Sequence, residues 1–224
     1  MDKMIVYEDD SLIVVHKPAG IATQTAKLGQ ADLVSELKNY RNNKDENPYI
    51  GVVHRLDQPV EGLLVFAKNP DSAKKLSAQL NNSILNKKYA ALVEGKLDEN
   101  AGGELTDYLL KDGRTNSSKV VPPQTKDSKE ARLTWKMIKS FESYSLVEVE
   151  LFTGRHHQIR VQMSHANMPL LGDMKYGSET SKKLSKEKGI GNTALLANEI
   201  SFEHPVNKKK MEFSIPYSSK WTIN

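Results

Sequence analysis

The chain of 224 residues contains no cysteine. That excludes disulfides, a thiolate nucleophile, and any zinc or iron–sulfur site with cysteine ligands. No apolar run approaches the ~20 residues that cross a bilayer, and mean hydropathy is −0.55, so no membrane partner is expected. The opening Met1-Asp2-Lys3-Met4 leads into acidic Glu8-Asp9-Asp10, which does not read as a signal peptide. A cytoplasmic protein is expected. Histidines are few, and none sits in a His-Glu-x-x-His array, so no metal is expected. There is no Gly-x-Ser-x-Gly elbow for a serine hydrolase. The one Gly-Gly pair, Gly102-Gly103, lies in polar sequence without a phosphate-binding pattern, so no nucleotide cofactor is implied.

What is present is a mildly basic chain, net charge +4, whose lysines and arginines gather at Lys87-Lys88, at 126–132, at 182–188 and at Lys208-Lys209-Lys210. Any one cluster alone is more simply a solvated loop. Together with a nucleic-acid-directed site they become candidates for phosphate contacts.

Patterning predicts one domain over residues 1–224. It is of α+β class: a mixed, mainly antiparallel β-sheet with flanking helices and loops, lacking regular βαβ alternation. Residues 4–7 and 12–15 read as short strands around an acidic turn, and Leu33, Val34 and Leu37 suit one helix face before the polar stretch 40–47. Asn69-Pro70 is a helix start, with Asn as cap and Pro at the first helical position. Ala73, Leu76, Leu80 and Ile84 keep helical spacing, predicting a helix over 71–84. A strand is expected from 88 to Gly95, then irregular hairpins and loops over 98–129. Residues 131–138 and 144–152 predict an antiparallel pair. In the second, Val147, Val149 and Leu151 alternate with Glu148 and Glu150, giving one buried and one wetter face. A helix is expected over about 156–166, and a closing hairpin from 195–202 and 212–215.

The segment with the most chemistry is His54-Arg55-Leu56-Asp57-Gln58-Pro59-Val60-Glu61-Gly62, leading into Leu63-Leu64-Val65-Phe66-Ala67. It places a basic side chain and a carboxylate two residues apart on a turn anchored by a strand buried on both faces. Spacing alone equally allows an ordinary Arg55–Asp57 surface pair. A second segment, Thr153-Gly154-Arg155-His156-His157-Gln158-Ile159-Arg160, shifts that balance.

Together these runs resemble the RluA family of pseudouridine synthases. The first is similar to its His-Arg-Leu-Asp-x-x-Thr-Ser-Gly signature, with Val60 and Glu61 replacing Thr and Ser. The second is similar to Gly-Arg-x-His-Gln-Ile/Leu-Arg. Lys17-Pro18-Ala19-Gly20 resembles the family's N-terminal Lys-Pro-x-Gly, and Pro169-Leu170-Leu171-Gly172-Asp173 with Tyr176-Gly177 resembles Pro-x-x-Gly-Asp-x-x-Tyr-Gly. The likeness runs from about residue 5 to 216, with its motifs in order. Departures are Gln162, where the family often has His, and Leu195-Leu196-Ala197-Asn198, which lacks its Leu-His-Ala.

The resemblance implies an RNA pseudouridine synthase, an isomerase without cofactor, as a stand-alone catalytic domain lacking the S4 RNA-binding domain of many relatives. Asp57 is the implied catalytic aspartate, Arg160 its guanidinium partner, and Tyr89 the ring against the target uracil. Arginine suits that pairing because its planar fork grips a carboxylate while staying charged. Arg55, His54, Arg155, His157 and Lys88 are the implied RNA contacts, with Arg55 filling the space left by the flipped base. The expected partner is structured RNA, ribosomal or transfer, with no DNA and a monomeric protein. The rival expectation is an RNA-binding or RNA-folding protein with little catalysis. A metal-dependent phosphate-ester hydrolase using His54, Asp57 and His157 is a more distant third.

Overall fold

The computed structural model describes residues 1–25, 29–42, 47–217 and 221. In chain order its elements are β1 (Ile5–Glu8), β2 (Leu12–Lys17), α1 (Leu33–Asn42), β3 (Gly51–Val52), β4 (Glu61–Ala67), α2 (Pro70–Asn81), β5 (Asn86–Glu94), β6 (Gly102–Asp112), β7 (Ser117–Val121), β8 (Lys129–Ser140), β9 (Tyr144–Leu151), α3 (Gln158–His165), α4 (Glu179–Glu187), β10 (Leu195–Glu203) and β11 (Lys210–Ser214). Antiparallel pairings dominate, and the α+β class expected from patterning is the one observed. Part of the expected polar stretch 40–47, residues 43–46, lies outside the described residues.

The chain forms two compact units, residues 1–87 with 197–224, and residues 88–196. In the first, β2 is flanked by β1 and β4, β4 also takes β3, and β10 pairs with β11. Strand β4 carries six consecutive buried residues after Glu61, as its unbroken apolar run requires. Leu12, Val14, Leu63, Val65, Ile200 and Phe202 form the core, and α2 closes it with Leu76.

Helix α2 starts where Asn69-Pro70 predicts: the Asn69 side chain accepts a hydrogen bond from the Ser72 N–H at 2.8 Å, a cap worth about 1 kcal/mol. It ends earlier than predicted, at Asn81, because Ser83 turns to φ 56°, and Ile84 is left exposed.

The second unit is a strand series in the order β5-β9-β8-β6-β7. The irregular region expected over 98–129 holds one long hairpin, β6 with β7. Helix α4 was not evident from the sequence. Its buried side chains are Ser181, Leu184 and Ser185, so one leucine stands where a stripe of apolar residues would give the helical period. Among the described residues no helix is long and apolar enough to cross a membrane.

Candidate active site

The first unit presents Asp57 on a turn with unusually firm supports. Leu56 and Val60 are buried on either side of the half-buried Asp57, and the Val60 N–H closes the turn onto the Asp57 carbonyl at 3.0 Å. The segment after β2 cradles it. Thr23 Oγ1 donates to the Leu56 carbonyl at 2.9 Å and accepts from the Leu56 N–H at 3.1 Å. Gly20 adopts φ +95°, a conformation that L side chains rarely take. There its N–H reaches the Gln58 carbonyl at 2.8 Å, while Gln58 Nε2 donates back to the Gly20 carbonyl at 2.9 Å.

Below this turn lies Lys17, fully buried at the end of β2. Its Nζ donates to the carbonyls of Pro18 at 3.0 Å, Ile21 at 2.7 Å and Gln58 at 3.3 Å. Burial pushes its pKa down to about 8, while the charges of Asp57 and Glu61 oppose that fall. Glu61 in turn contacts His16 Nε2 at 3.0 Å. Gly62 has φ +138°, and a Cβ there would sit 2.5 Å from the Ala197 backbone. The glycine of the signature is thus required by close strand packing.

The expected RNA contacts on this turn divide. Arg55 is exposed, as a contact requires. His54 is not: it is 6% exposed, and its Nε2 accepts from the Val65 N–H at 3.3 Å. Burial, with the charge of Lys87, holds its pKa well below the usual imidazole value. The ring is neutral and faces the core, so the reading of His54 as a phosphate contact is corrected to one of support for β4. Nothing in the motif distinguishes an inward from an outward histidine.

In the second unit, Tyr89 is buried in β5 opposite Val149 of β9, and Lys88 lies beside it, 3.9 Å from Glu148. Arg155 is exposed, and its Nε donates to the Glu130 carbonyl at 2.7 Å. His157 stands at the start of α3 with φ 56° and caps nothing with its side chain. Its Nδ1 bonds instead to the Tyr176 hydroxyl at 2.7 Å, and its ring stacks on His156. His157, expected as an RNA contact, is instead a ring buried against Tyr176.

Arg160 is buried in the first turns of α3. Its Nε and Nη2 donate to the two oxygens of Asp173 at 2.6 and 2.8 Å, a two-pronged grip between side chains 6% and 1% exposed. The Lys175 and Tyr176 N–H groups also bond to Asp173. Burial acts to raise the Asp173 pKa, but the bonds and charge of Arg160 with these N–H groups outweigh it and hold the carboxyl below its usual value. The guanidinium further lies over the Tyr176 ring, 5.1 Å from its centre. Sequence reasoning found Asp173 and Tyr176 only as motif letters. Their place around Arg160 was not legible, since thirteen residues separate Arg160 from Asp173. Among the described residues no group of three His, Asp or Glu side chains is placed to hold a metal ion.

The rigid, half-buried Asp57 carboxylate suits chemistry at a developing positive centre. Comparison with known proteins points the same way. The family model described as RNA pseudouridylate synthase matches residues 11–165, more than half of the chain. The chain is 32% identical over 221 residues to ribosomal large subunit pseudouridine synthase D of Buchnera aphidicola, covering 95% of this chain and 69% of that protein. It is 31% identical to tRNA pseudouridine synthase C of Haemophilus ducreyi, covering 100% of this chain and 94% of the relative. A solved human structure, RNA pseudouridylate synthase domain containing 4, shares the fold with a TM-score of 0.75 at 23% identity, covering 96% of this chain and 88% of that one. The chain belongs to the RNA pseudouridylate synthase family, whose members are isomerases acting on RNA.

Proposed function

We propose that this protein isomerises a specific uridine in structured RNA, ribosomal or transfer, to pseudouridine, with Asp57 as the catalytic residue. The observation that carries the reading is the Asp57 turn, whose backbone on either side, at Leu56 and Gln58, is held by Thr23, Gly20 and the buried Lys17. Such fixing minimises the reorganisation needed as charge develops at the sugar.

In the reaction the N1–C1′ bond breaks, the base turns, and C5 bonds to C1′. The C5 proton then leaves and N1 gains one, so the product is an isomer and no electrons enter or depart. Asp57 acts at the ribose, either by attacking C1′ or by taking the C2′ proton into a glycal. Both routes use the same anionic oxygen. Arg160 serves as the cationic partner of Asp57, held in its rotamer by Asp173, and such a charge favours the ionised carboxylate when a bound nucleotide excludes water. Tyr89 supports the uracil ring. The target leaves its stack to be reached, as base-modifying enzymes require, and Arg55 occupies the vacated space.

Arg155, Lys88 and the exposed lysines extend the footprint along the phosphates. The protein works as a monomer in the cytoplasm without cofactor or metal. Mapping pseudouridines in total RNA from cells with and without the gene tests the reading. The loss of one or a few defined sites is expected. Unchanged pseudouridine alongside retained RNA affinity would favour an RNA-folding protein instead.

A further inference from the structure

Where β9 ends, the chain leaves an aromatic ring on the surface. Phe152 is 45% exposed. One exposed apolar residue needs no explanation by itself, but this one has a guanidinium laid on it. The Arg132 guanidinium carbon lies over the ring, 4.5 Å from its centre, and the Arg132 side chain is itself 45% exposed. Strand alternation puts it there: Ala131 and Leu133 are buried on one face of β8, so Arg132 between them faces the other. The Phe152 N–H donates to the Arg132 carbonyl at 3.1 Å, which aligns the two residues. Glu104 meets Arg132 Nε at 3.4 Å and steadies the guanidinium over the ring.

The backbone behind this pair is fixed by one buried amide. Gln158 Oε1 accepts from the Thr153 hydroxyl at 2.8 Å and the Arg155 N–H at 2.9 Å, while its Nε2 donates to the Arg132 carbonyl at 3.1 Å. Thr153 Oγ1 also accepts from the Arg132 N–H at 2.8 Å. Exposed Arg155 is anchored in turn by its Nε on the Glu130 carbonyl at 2.7 Å. Gln158 thus ties Arg132, Thr153 and Arg155 into one rigid corner, and Phe152 sits on it. The corner continues outward the segment that carries Arg160.

A planar ring with a guanidinium against it is a surface on which nucleobases stack, and a second guanidinium beside it suits a phosphate. This corner is separate from the place given to the uracil. Tyr89 lies opposite Val149. Phe152 is three residues further along, on the other face by alternation and roughly 10 Å on at the rise of a strand. It therefore meets a different nucleotide from the one that is isomerised.

We propose that Phe152 and Arg132 form a stacking site for one unpaired base of the substrate RNA outside the target, with the adjoining phosphate on Arg155. The inference rests on the RNA substrate of the reading above. It assigns two residues that lie outside the signature segments, and it gives the chain a contact by which it recognises its target's surroundings.

The test uses a short stem-loop RNA that carries a uridine mapped as a wild-type target, and a set in which single unpaired positions around it are made abasic. Filter binding and turnover are measured for wild type, Phe152→Leu, Phe152→Trp and Arg132→Lys. Phe152→Leu keeps apolar bulk but has no ring face, so Kd and KM are expected to rise about tenfold, with kcat at saturating RNA within about twofold of wild type. Phe152→Trp keeps a ring and stays near wild type. Arg132→Lys keeps the charge, loses the plane and weakens binding.

One abasic position is expected to weaken wild-type binding by a similar factor and to have no further effect on Phe152→Leu, the coupling that direct contact requires. In the wild-type complex, which needs no variant to fold, a fluorescent adenine analogue at that position is expected to be quenched by stacking. An abasic set with no sensitive position, an abasic penalty equal in wild type and Phe152→Leu, or a fall in kcat with KM unchanged would each overturn the proposal and leave an exposed pair that only closes the sheet. Wild-type protein that binds this RNA but forms no pseudouridine would instead refute the reading of Asp57, and the binding comparisons, which need no turnover, would still decide the stacking site.

Discussion

Replacing Asp173 by Asn tests whether the grip on Arg160 carries the weight its geometry implies. Asn preserves the volume and, with its carbonyl in the place of Oδ1, keeps the bonds from Arg160 Nη2, Lys175 N and Tyr176 N. The amide NH₂ then faces Arg160 Nε, a donor against a donor where Oδ2 accepted at 2.6 Å. One charge-assisted bond worth about 1.5–3 kcal/mol is lost, and breaking a buried pair from one side costs about 3–5 kcal/mol. Because three contacts survive, the lower end applies, about 3 kcal/mol. For a chain of this size that is a fall in Tm of roughly 6–12 °C.

The assay is urea unfolding followed by far-ultraviolet circular dichroism, repeated from pH 7 to pH 3. A carboxyl whose folded pKa is depressed stabilises above its unfolded value and loses that contribution as pH falls through the folded one. The gap between wild type and variant should therefore close in acid, below the usual carboxylate value of 3.8. A difference under about 0.5 kcal/mol at pH 7, within the ordinary range for surface changes, would refute the reasoning. So would a gap that does not depend on pH.

Gly62→Ala places a Cβ 2.5 Å from the Ala197 backbone at φ +138°, so a loss of about 3 kcal/mol or more in stability is expected; a fully stable variant would mean that β4 and β10 can separate. Buried neutral His54 favours protonation of the unfolded chain, so stability should decline as pH drops below about 6.5, and His54→Phe should flatten that decline in acid denaturation. Changing exposed Lys208, Lys209 and Lys210 together to Gln should weaken RNA binding and lower the salt slope by about 2–3 units. An unchanged slope would leave the cluster a solubilising turn.

Where the chain reports its own local rules, the sequence was readable. Asn69-Pro70 forecast both the start and the cap of α2, and the apolar run after Gly62 forecast a strand buried on both faces. The signature forecast the Asp57 turn. What stayed hidden depends on long-range packing. Ser181 and Ser185 are buried through hydroxyl bonds rather than apolar spacing, so α4 left no periodic trace. Lys17 stands in the sequence only as part of a Lys-Pro-x-Gly resemblance, and its burial follows from the carbonyls that the fold gathers around it. The same holds for Asp173, whose partner is set by the turn after α3 and not by sequence spacing.

The most direct measurement compares wild-type protein with Asp57→Asn on one structured RNA, scoring pseudouridine by mass spectrometry and affinity by filter binding at fixed salt. Asn nearly preserves the volume and removes the anionic oxygen, while phosphate contacts elsewhere supply most of the binding. The account predicts pseudouridine from the wild-type protein, none from the variant, and affinities within about threefold of each other (roughly 0.7 kcal/mol). Substantial pseudouridine formation by Asp57→Asn would contradict it.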